Sequence, residues 1–139
     1  MLAKILTGAI IETDAKINYD FSKVSTIMFP KSYIESIFLN LISNSIKYRS
    51  YNRVPSIEIK SIIENDATVL LFSDNGIGLD LEKNGHKLFG LNKTFHRGRD
   101  SKGFGLYITK TQIEAMGGKI SATSEVNKGA TFKINFNNY

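Results

Sequence analysis

The sequence predicts an α+β two-layer sandwich, in which a mixed, mostly antiparallel sheet is covered on one face by about three helices. Apolar residues recur at helical spacing between Pro30 and Pro55, and runs rich in β-branched residues lie on both sides of that segment. Strands and helices do not alternate strictly, which favours the α+β class. With 139 residues, 42% of them hydrophobic, we expect one domain, 1–139, that buries a sizeable core.

The first half of the chain contains a predicted helix between strand candidates. We expect a short helix within residues 2–13, and "KINYDF" (16–21) and "STIMF" (25–29) predict two short strands joined by a turn. Pro30 suits the start of a helix, and the helical spacing continues until Pro55 imposes an extended backbone. The central helix is therefore predicted over about 31–50.

The second half predicts a hairpin, a loop, a helix and two strands. "SIEIKSIIE" and "ATVLLFSD" are strand candidates separated by "NDA", and the second ends at Asp74. From 75 to 102 the chain is polar and dotted with glycines, which is typical of a mobile functional loop. "FGLYITKTQIEAMG" predicts an amphipathic helix that Gly117 and Gly118 end. "KISATSEV" and "ATFKINF" predict the last two strands, joined through "NKG".

Composition excludes several classes of function. The chain has no cysteine, which removes disulfides, thiolate catalysis and thiolate metal sites. No apolar run reaches the roughly 18 residues that a membrane span needs, and the N-terminus lacks a convincing cleavage site, so we expect a soluble, cytoplasmic chain. The net charge of +5 calls for an anionic partner, without deciding between nucleotide, nucleic acid and acidic protein.

Four polar or aromatic residues fall on one stripe of the central helix. Asn40, Asn44 and Lys47 lie within a narrow angular range, with Tyr48 at its edge, and the stripe borders the apolar face. Amide oxygens can ligate Mg²⁺, an ammonium can meet phosphate, and a ring can lie against a base or ribose. The alternative is a solvated helix edge with chance asparagines.

Two glycine-containing segments follow. In "DNGIGLD", Asp74 at a strand end offers a carboxylate, and Gly76 and Gly78 allow positive φ and close approach of a ligand. A plain Asn-Gly turn explains the same letters. In "SKGFGLYITK", Gly103 and Gly105 come where a helix begins, which is a ready site for an anion. Neither a P-loop nor a Rossmann fingerprint is present.

In this order and at these separations, and with "LFGLNKTFHRG" between them, the motifs resemble the ATP-binding catalytic domain of sensor histidine kinases, within the GHKL group of ATPases and kinases. The resemblance covers about residues 16–136 and rests on four motif blocks. It implies the Bergerat variant of the two-layer sandwich, a histidine kinase of two-component signal transduction, and ATP with Mg²⁺ as cofactors.

The resemblance also implies roles for the polar stripe. In the N box, "NLISNSIKY", Asn44 would be the principal Mg²⁺ ligand, helped by Asn40, and Lys47 would meet the phosphates. Asn44 and Lys47 would thus be the catalytic residues. Tyr48 would line the adenine and ribose side. Asp74 of the first glycine box would accept a hydrogen bond from the adenine amino group, while Gly76 and Gly78 let the backbone close on the base.

The remaining motifs imply a mobile lid over the phosphates, at about 84–102. In the F box, "LFGLNKTF", Phe89 and Phe95 would anchor this lid. Near the C-terminus "GATF" resembles the family's GTxF, with Thr131 lining the adenine pocket if the motif is matched loosely. The second glycine box and its basic neighbour would meet the phosphates through Lys102, Gly103, Phe104, Gly105 and Leu106.

The sequence departs from the family pattern at two places. Ser101 replaces the first glycine of the second glycine box, so the hinge of the lid is expected to be stiffer. Ala130 stands where the family usually has Thr in GTxF. Basic residues crowd the lid, which suits a triphosphate, although such a cluster is usually a solvated loop. These residues are Lys93, Arg97, Arg99 and Lys102.

Asn40 favours a kinase over an ATPase. The ATPases of the GHKL group, and the related serine kinases, carry Glu at this position as a general base. An amide cannot take a proton at neutral pH, so Asn40 cannot activate water or a serine hydroxyl. A histidine acceptor needs no such base, because neutral imidazole already has a lone pair.

The acceptor histidine is expected on another domain. His86 and His96 are the only histidines, and both fall in the glycine-dotted region rather than in an acidic helical context. We expect a catalytic fragment of a longer sensor, either soluble or membrane-attached, with residues 1–13 as the connection to a dimerisation and phosphoacceptor domain. A response regulator would be an indirect partner, and the fragment alone would be a monomer.

Two other functions stay open from the sequence. The first is a regulatory, pseudo-kinase module that binds nucleotide without transferring phosphate. The intact Asn44, Asp74 and glycine set argue against it. The second is nucleic-acid binding driven by the positive charge, which would need aromatics among basic residues on one surface. The aromatics lie mostly in apolar segments, so we expect no nucleic-acid partner.

Overall fold

The computed structural model describes residues 14–24, 27, 29–78, 80–84, 89 and 105–136. Within these residues the strands are β1 (Lys16–Asp20), β2 (Ser56–Glu64), β3 (Ala67–Asp74), β4 (Lys119–Glu125) and β5 (Gly129–Asn135). The helices are α1 (Lys31–Lys47), α2 (Leu81–Asn84) and α3 (Gly105–Ala115). The strands form one sheet in the order β1-β2-β3-β5-β4. The predicted two-layer α+β class is confirmed.

The sheet is mixed, as predicted. β1 pairs with β2 in parallel, and the other three pairings are antiparallel. The β2–β3 hairpin turns at Asn65 (φ 52°) and Asp66 (φ 64°). Both residues are left-handed, as a two-residue type I′ turn requires, and Asn and Asp tolerate that conformation best after glycine. The bounds predicted for these two strands are those that the structure shows.

The predicted strand at 25–29 is wrong where the structure describes it. Ile27 and Phe29 lie outside any strand, and the partner of β1 is β2 rather than a hairpin neighbour. Both side chains instead pack against the core, with the Phe29 ring 4.9 Å from that of Phe136 in an edge-on contact. Burial of the apolar side chains, not pairing of the backbone, explains the apolar run.

Helix α1 begins directly after Pro30, as predicted, but ends at Lys47 rather than near residue 50. Arg49 closes the helix by donating its backbone N–H (3.2 Å) and its side-chain Nη1 (2.9 Å) to the carbonyl of Ile46. The carbonyl of Tyr48 then turns away from the helix and accepts the N–H of Ile77 at 2.9 Å. This bond satisfies a carbonyl at the helix end that has no acceptor role within the helix.

The core lies between the sheet and helices α1 and α3. Phe38 of α1 meets Phe72 of β3 edge-on, with ring centroids 5.1 Å apart. Each fully buried large apolar side chain contributes roughly 1.5–3 kcal/mol of transfer free energy. The core includes Ile37, Leu41, Ile42, Ile46, Ile57, Ile59, Leu70, Phe72, Leu106, Ile113, Phe132, Ile134 and Phe136.

Helix α3 ends as the two glycines predict. Gly117 has φ +85° and donates its N–H to the carbonyl of Glu114 at 3.0 Å. Gly118 donates to the carbonyl of Ile113 at 2.9 Å. This pair of bonds is the Schellman motif, which satisfies carbonyls that the helix end would leave unpaired.

Several predictions fall on parts of the chain that the structure does not describe. They are the helix within 2–13, most of the lid at 84–102 and the two histidines. No helix in the described ranges combines the length and the apolar character that crossing a bilayer requires. The predicted site residues outside the described ranges are Phe95, Lys102, Gly103 and Phe104.

Candidate functional site

Asp74, the last residue of β3, is held by three hydrogen-bond donors from three segments. Its side chain lies on the same face of the sheet as Phe72, because successive side chains alternate. Ser45 of α1 donates its hydroxyl to Oδ2 at 3.0 Å. The N–H groups of Gly76 (2.9 Å) and Ala130 (3.3 Å) both point at Oδ1. The carboxylate therefore has a fixed direction between the helix layer and the sheet.

Burial raises the pKa of the Asp74 carboxyl above its usual value of 3.8. The hydrogen bonds from Gly76, Ser45 and Ala130 lower the pKa, but burial outweighs them. A carboxyl whose ionised form is disfavoured by burial costs stability, and such groups cluster at functional sites, which makes Asp74 a candidate site residue.

We expect Ser45→Ala to raise the pKa of Asp74 further, because the hydroxyl donor that stabilises the ionised form is lost. The free energy of unfolding should fall by about 1 kcal/mol. A ¹³C NMR titration of the Asp74 carboxyl measures the change. Ser43→Ala on the same helix is the control, since Ser43 is not among the hydrogen-bond partners of Asp74. A pKa that stayed the same or fell in Ser45→Ala would contradict this account.

Asn40 joins α1 to α3. Its Nδ2 donates to Thr109 Oγ1 at 3.3 Å and to Ser36 Oγ at 3.4 Å. Thr109, on α3, has no exposed surface. A β-carbon built on Gly105 would lie 3.7 Å from Asn40 Oδ1. The amide nitrogen is thus used within the fold, while the amide oxygen lies beside the first residue of α3.

The other members of the polar stripe lie along the same side of α1. Asn44, Lys47 and Tyr48 are half-buried, so the stripe borders the core as predicted. Within the described residues, the Asn44 amide has no hydrogen-bond partner in the structure, whereas its backbone carbonyl accepts the Tyr48 N–H at 3.0 Å. Its amide oxygen is therefore available to a ligand.

Helix α3 presents its N-terminus near Asn40. The N–H groups of Gly105 and Leu106 belong to the first turn, where a helix has no internal acceptors and carries partial positive charge. The Leu106 side chain is buried in the core, so only its backbone can face a ligand. Asn40, beside this N-terminus, and Ser45, beside Asp74, are separated by about 7.5 Å along the axis of α1.

Gly76 and Gly78 allow two backbone segments of the fold to pack closely, in addition to the predicted approach of the backbone to the adenine base. A β-carbon on Gly76 would lie 2.6 Å from the Tyr48 carbonyl oxygen. Gly78 has φ +70°, and a β-carbon there would overlap the carbonyl of Glu125. Both glycines are therefore explained by packing of the loop after Asp74 against the end of α1 and the β4–β5 turn.

Thr131 lies on the opposite face of the sheet from the Asp74 side chain. Its hydroxyl pairs with Ser73 Oγ at 3.0 Å, and Ser73 and Thr131 are register partners. Ala130, the position where the family has Thr, occupies the face of Asp74 and donates to it. The strict alignment of GTxF fits this geometry, and the loose one that selected Thr131 does not.

Phe89 is the described part of the F box. It packs against the core, with its ring 6.3 Å from that of Phe132 and Lys110 Nζ 5.6 Å from its centroid. Its role as an anchor of the lid stays a prediction, because most of the lid lies outside the described residues.

Three residues of the site region were not predicted from the sequence. Ser45 is polar at a core-facing position of α1, and that mismatch is a signal that could have found it. Thr109 is similar on α3. Arg53 donates hydrogen bonds to backbone carbonyls of the loop after Asp74, and no sequence pattern predicts these bonds.

The chain belongs to the family of histidine kinase-, DNA gyrase B-, and HSP90-like ATPases, whose family model matches residues 31–138. Among named relatives, it is similar to the signal transduction histidine-protein kinase ArlS of Staphylococcus aureus (strain USA300). The two are 34% identical over 118 residues, which are 83% of this chain and 26% of that kinase. The chain thus spans about a quarter of the length of this relative.

Solved structures share the fold. The catalytic domain of histidine kinase ThkA superposes with a TM-score of 0.78 at 20% identity, covering 96% of this chain and 86% of that one. Full-length ShkA in complex with AMPPNP gives 0.79 at 20% identity, covering 96% of this chain and 28% of that one. The mycobacterial sensor histidine kinase MprB gives 0.77 at 17% identity, covering 96% and 91%.

Proposed function

We propose that the chain binds ATP with Mg²⁺ and transfers the γ-phosphoryl group to a histidine on a separate dimerisation and phosphoacceptor domain. The observation that carries this proposal is the half-buried Asp74 carboxylate, fixed by Ser45, Gly76 and Ala130 at one end of the polar stripe. A carboxylate held in this way accepts an exocyclic amino group, which adenine has. The first turn of α3, at the other end of the stripe, suits phosphate.

The amide oxygens that the polar stripe offers are suitable ligands for Mg²⁺. Asn44 offers an amide oxygen and Asn40 Oδ1 lies beside α3, while the described ranges hold no cluster of three His, Cys, Asp or Glu side chains. Mg²⁺ is usually held by few protein oxygens, with phosphates and water completing its shell. When bound, the ion would neutralise developing charge on the phosphates.

Histidine is the proposed acceptor because residue 40 is Asn, which cannot act as a general base. Its amide nitrogen is bonded to Thr109 and Ser36, and an amide does not take up a proton at neutral pH. The lone pair of a neutral imidazole nitrogen would form the new bond to the γ-phosphorus. The bond from phosphorus to the bridging oxygen breaks, and ADP leaves with that electron pair. The chain's own residues bind and orient the nucleotide.

Transfer from labelled ATP to the phosphoacceptor domain of the parent kinase tests the proposal. We expect an acid-labile, alkali-stable phosphate on that domain, which is lost when its acceptor histidine is replaced by Gln. Tight ATP binding without any transfer would overturn the kinase function and favour a regulatory nucleotide-binding module.

We expect Asn44→Ala to lower the rate of transfer by about ten- to a hundredfold, because the proposed metal would lose a ligand. The loss should depend on Mg²⁺, so that nucleotide affinity measured with EDTA is the same in the variant and the wild type. Asn18→Ala is the matched control, since Asn18 is exposed on the edge strand β1. Unchanged transfer in Asn44→Ala would contradict the assignment of this residue.

A further inference from the structure

Arg53, between α1 and β2, binds three backbone carbonyls at once. Its Nε donates to the carbonyl of Asn75 at 2.6 Å, and its Nη2 donates to the carbonyls of Gly76 (2.8 Å) and Asn127 (2.6 Å). Asn75 and Gly76 follow Asp74 directly, and Asn127 lies in the turn between β4 and β5. The guanidinium therefore joins the loop after Asp74 to the turn that precedes β5.

The three carbonyl oxygens converge on one cation. The negative ends of three carbonyl dipoles placed together repel each other unless a positive group lies between them. A guanidinium suits this position, because its planar fork donates in several fixed directions and keeps its charge. A neutral side chain at residue 53 would leave this convergence without its counter-charge.

The two segments that Arg53 joins are also the two that hold Asp74 Oδ1. Gly76 donates to Oδ1 from the loop, and Ala130 donates to it from β5, just beyond the turn. One backbone bond, from the Asn127 N–H to the Ile77 carbonyl at 2.7 Å, links the same segments. Arg53 adds the side-chain link, on the side of the loop nearest to Asp74.

We propose that Arg53 is a positioning residue for adenine recognition, which acts by setting the direction of the Asp74 carboxylate through Gly76 and the β4–β5 turn. This inference rests on the proposed function, because it assumes that Asp74 recognises the adenine amino group. Arg53 itself bonds to the backbone and has no part in transferring phosphate.

The test compares Mg²⁺-ATP with Mg²⁺-inosine triphosphate (ITP), which carries oxygen in place of the adenine amino group. We expect Arg53→Gln to raise the Kd for ATP about tenfold, from the loss of charge-assisted hydrogen bonds. The Kd for ITP should change little, so the ratio of the two constants moves toward one. Arg53→Lys should recover part of the preference, since an ammonium keeps the charge but lacks the fork.

Arg49→Gln is the matched control. Arg49 lies four residues away, donates to the Ile46 carbonyl at 2.9 Å and stacks 5.1 Å above the Tyr51 ring. The described bonds of its side chain do not include Asn75, Gly76 or Asn127. The preference for ATP over ITP should match that of the wild type in this variant.

The possible results separate the inference from the function on which it rests. An equal loss of affinity for ATP and ITP in Arg53→Gln would show that Arg53 only supports the fold. Unchanged ATP affinity in this variant would also contradict the proposed role of Arg53. If the wild-type chain did not bind ATP, the proposed function would fail first. If Arg53→Gln did not fold, Arg53→Lys carries the test, with faster amide exchange expected at Gly76.

Discussion

Replacing Asp74 by Asn is expected to lower the affinity for ATP by about a hundredfold or more while the apo protein stays folded. The variant places an amide where the site needs an acceptor, and a buried polar site rejects a mispaired partner strongly. The fold should tolerate the change, because Asn Oδ1 can still accept from Gly76 and Ala130, and the Ser45 hydroxyl can rotate to accept from Nδ2. Isothermal titration with Mg²⁺-ATP measures the affinity.

The difference in stability between Asp74→Asn and the wild type should depend on pH in a defined sense. The folded-state pKa of Asp74 is raised above 3.8, so the contribution of this residue to stability is complete below pH 3.8 and is lost as pH rises through the folded pKa. At pH 7 the wild type therefore carries a cost that the variant lacks, and we expect the variant to have an equal or higher Tm.

This advantage should shrink as the pH falls, because the wild-type carboxyl then becomes protonated. Thermal denaturation of both proteins across the acidic range measures it. A variant that binds ATP like the wild type, or one that is markedly less stable at pH 7, would show that Asp74 has a structural role instead.

Replacing Gly129 by Ala is expected to reduce the free energy of unfolding by about 3 kcal/mol or more. Gly129 has φ +125°, a conformation that side chains with a β-carbon rarely adopt, and a β-carbon there would overlap the carbonyl of Asp74. Either β5 must shift away from β3 or the variant must lose this part of the sheet. Urea denaturation followed by circular dichroism measures the loss.

Gly105→Ala is the control for this stability measurement. A β-carbon at Gly105 would meet Asn40 at 3.7 Å, an ordinary contact, and the backbone there is helical. We expect no loss of stability in this variant, since Ala is the better helix former. Equal stability of Gly129→Ala and the wild type would contradict the close packing of β3 and β5 that positions Asp74.

Local patterns predicted the parts of the fold that local physics determines. The β2–β3 hairpin has alternating β-branched residues and an Asn-Asp turn, and both strands were placed correctly. The predicted strand at 25–29 was wrong at the described residues Ile27 and Phe29, because an apolar run does not distinguish pairing from packing, and Phe29 packs on Phe136. The parallel partner of β1 lies forty residues along the chain, beyond the reach of a local pattern.

Asp74 and the polar stripe were selected as a candidate site because polar side chains interrupt apolar elements, and their binding roles stay predictions. Thr131, predicted to line the adenine pocket if GTxF is matched loosely, lies on the face of the sheet opposite to the Asp74 side chain, which follows from a register that only the folded sheet supplies. Arg53 could not be predicted, because the carbonyls it binds belong to residues 22 to 74 positions away.

Titration of the ¹⁵N-labelled chain with Mg²⁺-ATP, followed by NMR, tests the location of the site most directly. The account predicts saturable shifts of the Gly76 and Ala130 amides at the adenine end, and of the Gly105 and Leu106 amides at the phosphate end. Lys60, on the opposite face of the sheet from Asp74, should not shift. Saturable ATP binding that moved neither group of amides, or no binding by the folded chain, would contradict the account.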